Sequence, residues 1–137
     1  MPTERPDAAS TLQIRVYYED TDAGGIVYYA NYLKYFERAR TEWLRSLGID
    51  QSLLATTERR LFVVRNVEIQ YRRPARLDDE LTLHTHVEHQ GRASIRFAQR
   101  ALRGDELLCQ AVVTVCCVEA GSFRPVELGS TIRTLLK

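Results

Sequence analysis

Residues 17–36 read YYEDTDAGGIVYYANYLKYF, and two kinds of periodicity meet in them. Upstream, residues 11–18 alternate Leu12, Ile14 and Val16 with polar partners, the two-residue repeat of a half-buried strand. Downstream of Tyr29 the apolar positions Tyr32, Leu33, Phe36, Ala39, Trp43, Leu44 and Leu47 recur at helical spacing. Asn31, Lys34, Glu37, Arg38, Thr41, Glu42 and Arg45 fill the other face, and Gly48 is placed to end the helix. About twenty residues at 1.5 Å each make a rod of about 30 Å, the width of a small domain, so this helix is expected to be central.

Between strand and helix lie Glu19, Asp20 and Asp22, then the pair Gly24 and Gly25. Two readings are open. In one, the acid satisfies loop amides and the glycines make a tight turn. In the other, the glycines let a ligand approach the backbone, the helix start offers unpaired N–H groups to an oxygen that turns negative, and a neighbouring carboxylate serves as nucleophile or general base. Acyl transfer uses that combination.

Further along, residues 50–60 form a weak helical or irregular connector, after which the period changes. Val67, Ile69 and Tyr71 alternate with polar residues until Pro74. Leu81, Leu83, Thr85 and Val87 alternate against Thr82, His84, His86 and Glu88, and two more apolar runs, ASIRFAQRAL and LLCQAVVTVCCV, complete the set. Turns at Gln90-Gly91 and Gly104-Asp105 make the later strands antiparallel. The pattern predicts an α+β domain: a five-stranded antiparallel sheet curled around one long central helix, with a short final helix in STIRTLLK. Residues 1–10 read as a disordered tail and 11–137 as a single domain.

With 19 Lys+Arg against 18 Asp+Glu there is no charge excess to draw nucleic acid or an anionic membrane. No stretch is long and apolar enough for a membrane span or a signal peptide, so a cytoplasmic protein is expected. The odd cysteine count, Cys109, Cys116 and Cys117, fits reduced, buried side chains, and none has a basic neighbour in sequence to activate it.

Other candidates are weaker. His84, His86 and Glu88 share a strand face but lack a third histidine partner, so no metal is expected. Arg72, Arg73 and Arg76 cluster around Pro74, and Arg92 with Ser94 follows a turn; either group has the chemistry to hold phosphate. Glu37 and Glu42 read as surface acids, Glu42 having Arg38 and Arg45 as helical neighbours.

The stretches YEDTDAGGIVYYANYLKYFERARTE and FVVRNVEIQYRRPARLDDEL resemble the hotdog-fold acyl-CoA thioesterases of the 4-hydroxybenzoyl-CoA thioesterase type, and within them most the thioesterases associated with the Tol-Pal envelope system. The resemblance runs from about Leu12 to Val118. It implies a hotdog domain that hydrolyses a CoA thioester without a cofactor. The catalytic carboxylate would be Asp22 rather than Asp20, as nucleophile or base, and Tyr29 would be a catalytic position. Backbone N–H groups of Gly25, Val27 and Tyr28, with Tyr29 also able to offer its own, would receive the oxyanion, and Val63, Val64, Arg65, Arg92 and Ser94 would lie along the acyl, pantetheine and nucleotide path. Active sites of that family lie between two protomers, in dimers that pair into tetramers, and acyl carrier protein is a second possible acyl donor. The rival of another class is a low-turnover module that binds acyl-CoA or acyl carrier protein, or scaffolds an envelope or lipid-synthesis complex; it would have no need of Asp22. Many Tol-Pal-associated members carry histidine where this chain carries Tyr29, whereas tyrosine there is like the hydroxybenzoyl-CoA enzyme. A phenol is not a base at neutral pH.

Overall fold

The computed structural model describes residues 9–135. Five strands, β1 (Ala9–Arg15), β2 (Arg60–Tyr71), β3 (Glu80–Gln90), β4 (Ser94–Arg103) and β5 (Glu106–Glu119), make one sheet in the order β1-β3-β4-β5-β2, with every neighbouring pair antiparallel. The long helix α1 (Asn31–Ser46) follows β1, a short α2 (Gln51–Leu53) with a wide turn (Leu54–Glu58) leads into β2, and α3 (Ser130–Leu135) closes the chain. This is the expected sheet around one long helix, the hotdog arrangement. β1 starts at Ala9 and so takes in the last two residues of the expected tail; the rest of that tail, residues 1–8, lies outside the described residues.

The sheet curls because its strands are bulged. Register shifts fall between Val64 and Asn66 in β2, between Val87 and His89 in β3 and at Leu108 of β5, opposite the Ala101–Leu102 step of β4, and a bulge bends a strand and deepens its twist. The face turned towards α1 carries Leu81, Leu83 and Thr85, then Ile95, Phe97 and Gln99, then Ala111, Val113 and Val115. From α1, Tyr32, Tyr35, Phe36, Ala39, Arg40, Trp43 and Leu44 pack into that trough, and Trp43 meets Phe97 edge to face with ring centroids 6.1 Å apart. All three cysteines are buried thiols; burial alone pushes Cys109 up to about 12, so it holds its proton.

Three details of α1 depart from its sequence pattern. The helix is 16 residues long, about 24 Å, because it begins at Asn31. Leu33, placed on the core stripe by spacing, is exposed, whereas Tyr35 and Arg40 are buried. Arg40 lies four residues after Phe36 and three before Trp43, so its position is apolar even though its side chain is not. Gly48, with φ +86°, ends the helix as expected.

The loop between β2 and β3 is locked by one arginine. Arg103 donates to Asp79 Oδ2 at 2.7 Å and to Glu106 Oε1 at 2.6 Å, and the Arg76 N–H adds a bond to Asp79 Oδ2 at 2.8 Å. Burial works to raise the Asp79 pKa, but the bonds from the Arg76 amide and Arg103 outweigh it and hold the carboxyl below its ordinary value. Bonds from Arg103, against some burial and helped by its charge and that of Arg73, lower Glu106 in the same way. A carboxylate whose pKa is lower folded than unfolded stabilises the fold above its unfolded pKa, and that stabilisation goes as pH falls through the folded value. Arg103→Met is therefore expected to be less stable than wild type at pH 7, with the difference shrinking below about pH 4. Urea denaturation at both ends of that range measures it, and a gap that stays constant with pH would contradict the ion-pair account.

Candidate active site

The acids and glycines fold into a miniature hairpin ahead of α1. Thr21 and Val27 form an isolated antiparallel bridge. Inside it the Asp22 N–H donates to Ile26 O at 2.9 Å and the Gly25 N–H to Asp22 O at 3.0 Å. The Asp22 side chain bends over the tip, where Oδ1 accepts the Gly24 N–H at 2.8 Å. Each glycine has its own reason. Gly25 has φ +80°, which L side chains rarely adopt. A Cβ on Gly24 would stand 3.2 Å from Asp22 Oδ1, tight against the carboxylate. The carboxylate is thus held by one oxygen and exposed to solvent.

Asp20 ties this hairpin to the helix. Its Oδ2 accepts the Tyr17 N–H at 2.9 Å, and its carbonyl accepts both the Tyr28 N–H at 3.0 Å and Asn31 Nδ2 at 2.8 Å. The opposite side is fixed by Ala75, whose O accepts the Val27 N–H at 2.8 Å and whose N–H donates to Tyr32 Oη at 3.2 Å.

These bonds correct the expected oxyanion donors. The N–H groups of Gly25, Val27 and Tyr28 are already given to Asp22 O, Ala75 O and Asp20 O, and none is left for a ligand. The chain enters α1 through tight turns, Asn31 N–H to Tyr28 O, Tyr32 N–H to Tyr29 O and Leu33 N–H to Ala30 O, so the unpaired amides that open every helix move back by a few residues. Tyr29 and Ala30 are left with N–H groups that donate to no described residue.

Aromatic rings wall the helix start. Tyr29 packs edge-on to Tyr71 with centroids 5.9 Å apart, and Tyr71 Oη donates to Tyr29 O at 3.1 Å. Tyr32 stands 5.6 Å from Tyr71. Beside them a cavity of ≈ 230 Å³ is lined by Ile26, Val27, Tyr29, Tyr32, Tyr71, Arg72, Arg73 and Pro74. Two of the three clustered arginines thus reach the site wall, although Arg73 is also paired with Glu106 at 3.2 Å. Burial raises the phenols of Tyr32 and Tyr71, and hydrogen bonding to Tyr29 raises that of Tyr28. They remain protonated, which leaves carboxylates as the groups able to act as a base. Tyr71, Ala30 and Asn31 were missed by sequence reasoning, since an amide's freedom and a ring's neighbour are decided by tertiary contacts.

The remaining expected site residues lie elsewhere on the protomer. Val63, Val64 and Arg65 sit in the first half of β2, with Val63 opposite Cys116 and Cys116 opposite Ser94. Arg92 is at the turn between β3 and β4, its Nε paired with Glu127 Oε1 at 2.9 Å. The Asp22 hairpin instead bridges Arg76, beyond the far end of β2. Eight residues of strand, about 26 Å, separate Val63 from Tyr71, so one protomer does not bring the two groups together. His84 and His86 lie on the sheet face turned away from α1, alternating with buried Leu83 and Thr85. Among the described residues no cluster of His, Cys, Asp and Glu is arranged to hold a metal.

Comparison with known proteins places this geometry. Residues 24–110 match the Thioesterase superfamily model. The chain is 44% identical over 127 residues, 93% of either chain, to the acyl-CoA thioesterase YbgC of Haemophilus influenzae. It is 45% identical over 120 residues, 87% of this chain and 89% of the relative, to the acyl-CoA thioester hydrolase YbgC of Escherichia coli O157:H7. Among solved structures, a probable thioesterase from Bartonella henselae superposes with a TM-score of 0.85 at 38% identity, covering 89% of this chain and all of its own. A hairpin that holds a carboxylate beside a helix start, inside a sheet that wraps the helix, is here joined to that sequence match over most of the chain, and the protein belongs to the thioesterase superfamily.

Proposed function

We propose that the protein hydrolyses acyl-CoA thioesters to free acid and CoA at the Asp22 hairpin. The observation that carries this reading is the pairing of an exposed, singly held carboxylate with two unoccupied amides, Tyr29 and Ala30, at the start of the same helix. The thioester oxygen lies on those N–H groups, where the positive end of the helix dipole favours the charge that develops on attack. Asp22 drives attack on the carbonyl carbon, either by taking a proton from water or by adding directly. In the first route the tetrahedral adduct collapses with loss of the CoA thiolate. In the second a mixed anhydride forms as the thiolate leaves, and water then cleaves it. In both, water supplies the carboxylate oxygen and the proton that the thiol regains. Relatives named acyl-CoA thioesterase support the substrate class.

On this reading Tyr29 contributes its amide, the backbone part of its expected role, and not its phenol. Val63, Val64, Arg65, Arg92 and Ser94 serve a site completed by a second protomer. β2 is a sheet edge with exposed Val64, Val67 and Tyr71, and an unpaired edge of this kind invites another strand. Two-fold antiparallel pairing along β2 sets the Val64 half of one strand beside the Tyr71 half of the other. Pairing of such dimers into tetramers, a cytoplasmic setting where CoA esters are found, and service to the Tol-Pal system or to acyl carrier protein belong to the same proposal. No helix among the described residues is long and apolar enough to cross a membrane.

Two outcomes test this. Asp22→Asn is expected to lower kcat by about a hundredfold or more with the fold intact, whereas Tyr29→Phe, which keeps the backbone N–H, loses less than about tenfold; equal rates for wild type and Asp22→Asn on a panel of acyl-CoA esters would leave only a binding module. For the edge, light scattering on wild type should give a multiple of 15.8 kDa. Val64→Asp combined with Val67→Asp should shift it towards the single chain and remove activity together. An active wild-type monomer would end the shared-site reading.

A further inference from the structure

A cation without an acid to balance it lies beneath α1. Arg40 is 8% exposed, and its hydrogen bond is from Nη1 to Gln99 Oε1 at 2.9 Å. Gln99 is itself fixed, its Nε2 donating to Phe36 O and Thr85 Oγ1, both at 2.9 Å. The acceptor is therefore a neutral amide oxygen pinned in place, and among the described residues Arg40 takes part in no ion pair. Removing a guanidinium from water costs several kcal/mol unless a partner or further hydrogen bonds offset it.

Those further bonds are available to a ligand. A guanidinium has five N–H donors, and Gln99 takes one nitrogen of the group. Among the described residues the buried polar side-chain atoms left without a partner are Tyr35 Oη and Trp43 Nε1; the other guanidinium nitrogens of Arg40 are not sealed in with them. Arg40 lines a cleft of ≈ 110 Å³ between α1 and the first half of β2, together with Leu44, Phe62, Val64 and Phe97. The other charged group on its wall is Glu37, which is exposed and accepts a hydrogen bond from Thr41 Oγ1. Water screens an exposed charge more than a buried one, so Glu37, whose charge reaches Arg40, offsets the buried cation only in part.

We propose that this cleft receives the far end of the acyl group, and that the end it selects is a carboxylate: the substrate class is the CoA thioester of a dicarboxylic acid. This rests on the thioesterase reading above. The apolar walls suit methylene groups, and the forked N–H donors suit the two oxygens of a carboxylate. Arg40 lines the cleft together with Val64, and two-fold pairing along β2 brings the Val64 half of one strand towards the helix start of the other protomer, so the acyl chain runs from the Tyr29 and Ala30 amides of one protomer into the cleft of its partner.

The test compares kcat/KM for matched pairs: succinyl-, adipoyl-, suberoyl- and sebacoyl-CoA against butyryl-, hexanoyl-, octanoyl- and decanoyl-CoA. Wild type is expected to favour the carboxylate member of at least one pair by about tenfold or more, the scale set by pairing a desolvated charge. In Arg40→Met that ratio falls to about one, and in Arg40→Lys, which keeps the charge without the fork, it is intermediate. A wild-type ratio near one in every pair overturns the proposal without any variant, as does a preference that survives Arg40→Met. Hydrolysis of the alkyl series alone would refute the subsite and leave the thioesterase reading standing. Hydrolysis of neither series would overturn both.

Discussion

The carbonyl of Asp20 accepts two donors, the Tyr28 N–H and Asn31 Nδ2, and the geometry ahead of α1 depends on that double bond. It fixes the start of the acidic hairpin to the first turn of the helix. It also occupies the Tyr28 amide, so that the unpaired donors are Tyr29 and Ala30. With Ala75 O holding Val27 from the other side, the hairpin that carries Asp22 has no freedom to tilt relative to the helix axis. Each neutral bond of this kind is worth about 1 kcal/mol net. Their larger effect is positional, because misplacing a reacting group by an ångström can cost on the order of a hundredfold in rate.

The same bonds explain what the sequence disclosed and what it withheld. The change from a two-residue period at Leu12, Ile14 and Val16 to a helical one after Tyr29 is written in side-chain polarity, so strand, loop and helix could be ordered without coordinates. The turn at Gly104-Asp105 and the stop at Gly48 follow from local backbone preference and were legible for the same reason. Gly24 and Gly25 pointed to a constrained loop, and both readings of it describe real features: Asp22 does satisfy a loop amide, with one oxygen, while the other is free. Which amides are free could not be read, since Val27 is 48 residues from its acceptor Ala75 and no local rule records that distance. Arg40 escaped notice for a related reason. A charged residue counts as surface in any periodicity argument, and only Gln99, held by Phe36 and Thr85 on the neighbouring elements, makes its burial possible.

The distribution of expected site residues over the sheet carries its own physical message. The Asp22 hairpin lies past one end of β2, whereas Val63, Val64 and Arg65 lie at the other, and Ser94 is level with Val63 across β5. Within one protomer the two ends stay about 26 Å apart along the strand, and α1 fills the trough between them. The two-fold pairing proposed along the free edge of β2 would remove the difficulty, since antiparallel pairing exchanges the ends. The rings around the site, Tyr28, Tyr29 and Tyr71, are exposed, and an apolar surface of this kind is what the proposed pairing would cover.

The surroundings of Tyr29 argue for its backbone rather than its side chain. Its ring is 60% exposed and leans on Tyr28 and Tyr71. Its carbonyl is gripped twice, by Tyr71 Oη at 3.1 Å and by the Tyr32 N–H at 3.3 Å, and gripping the carbonyl fixes the plane of the peptide that follows, whose N–H belongs to Ala30. Tyr71 is thereby a lever on the orientation of one of the two free amides, reached from a strand rather than from the helix. A side chain of any kind at position 29 leaves that lever intact, provided that it can rest against the Tyr71 ring. The chemistry proposed for the helix start therefore needs the conformation of residue 29 more than its identity, and on the same proposal the proton acceptor is Asp22.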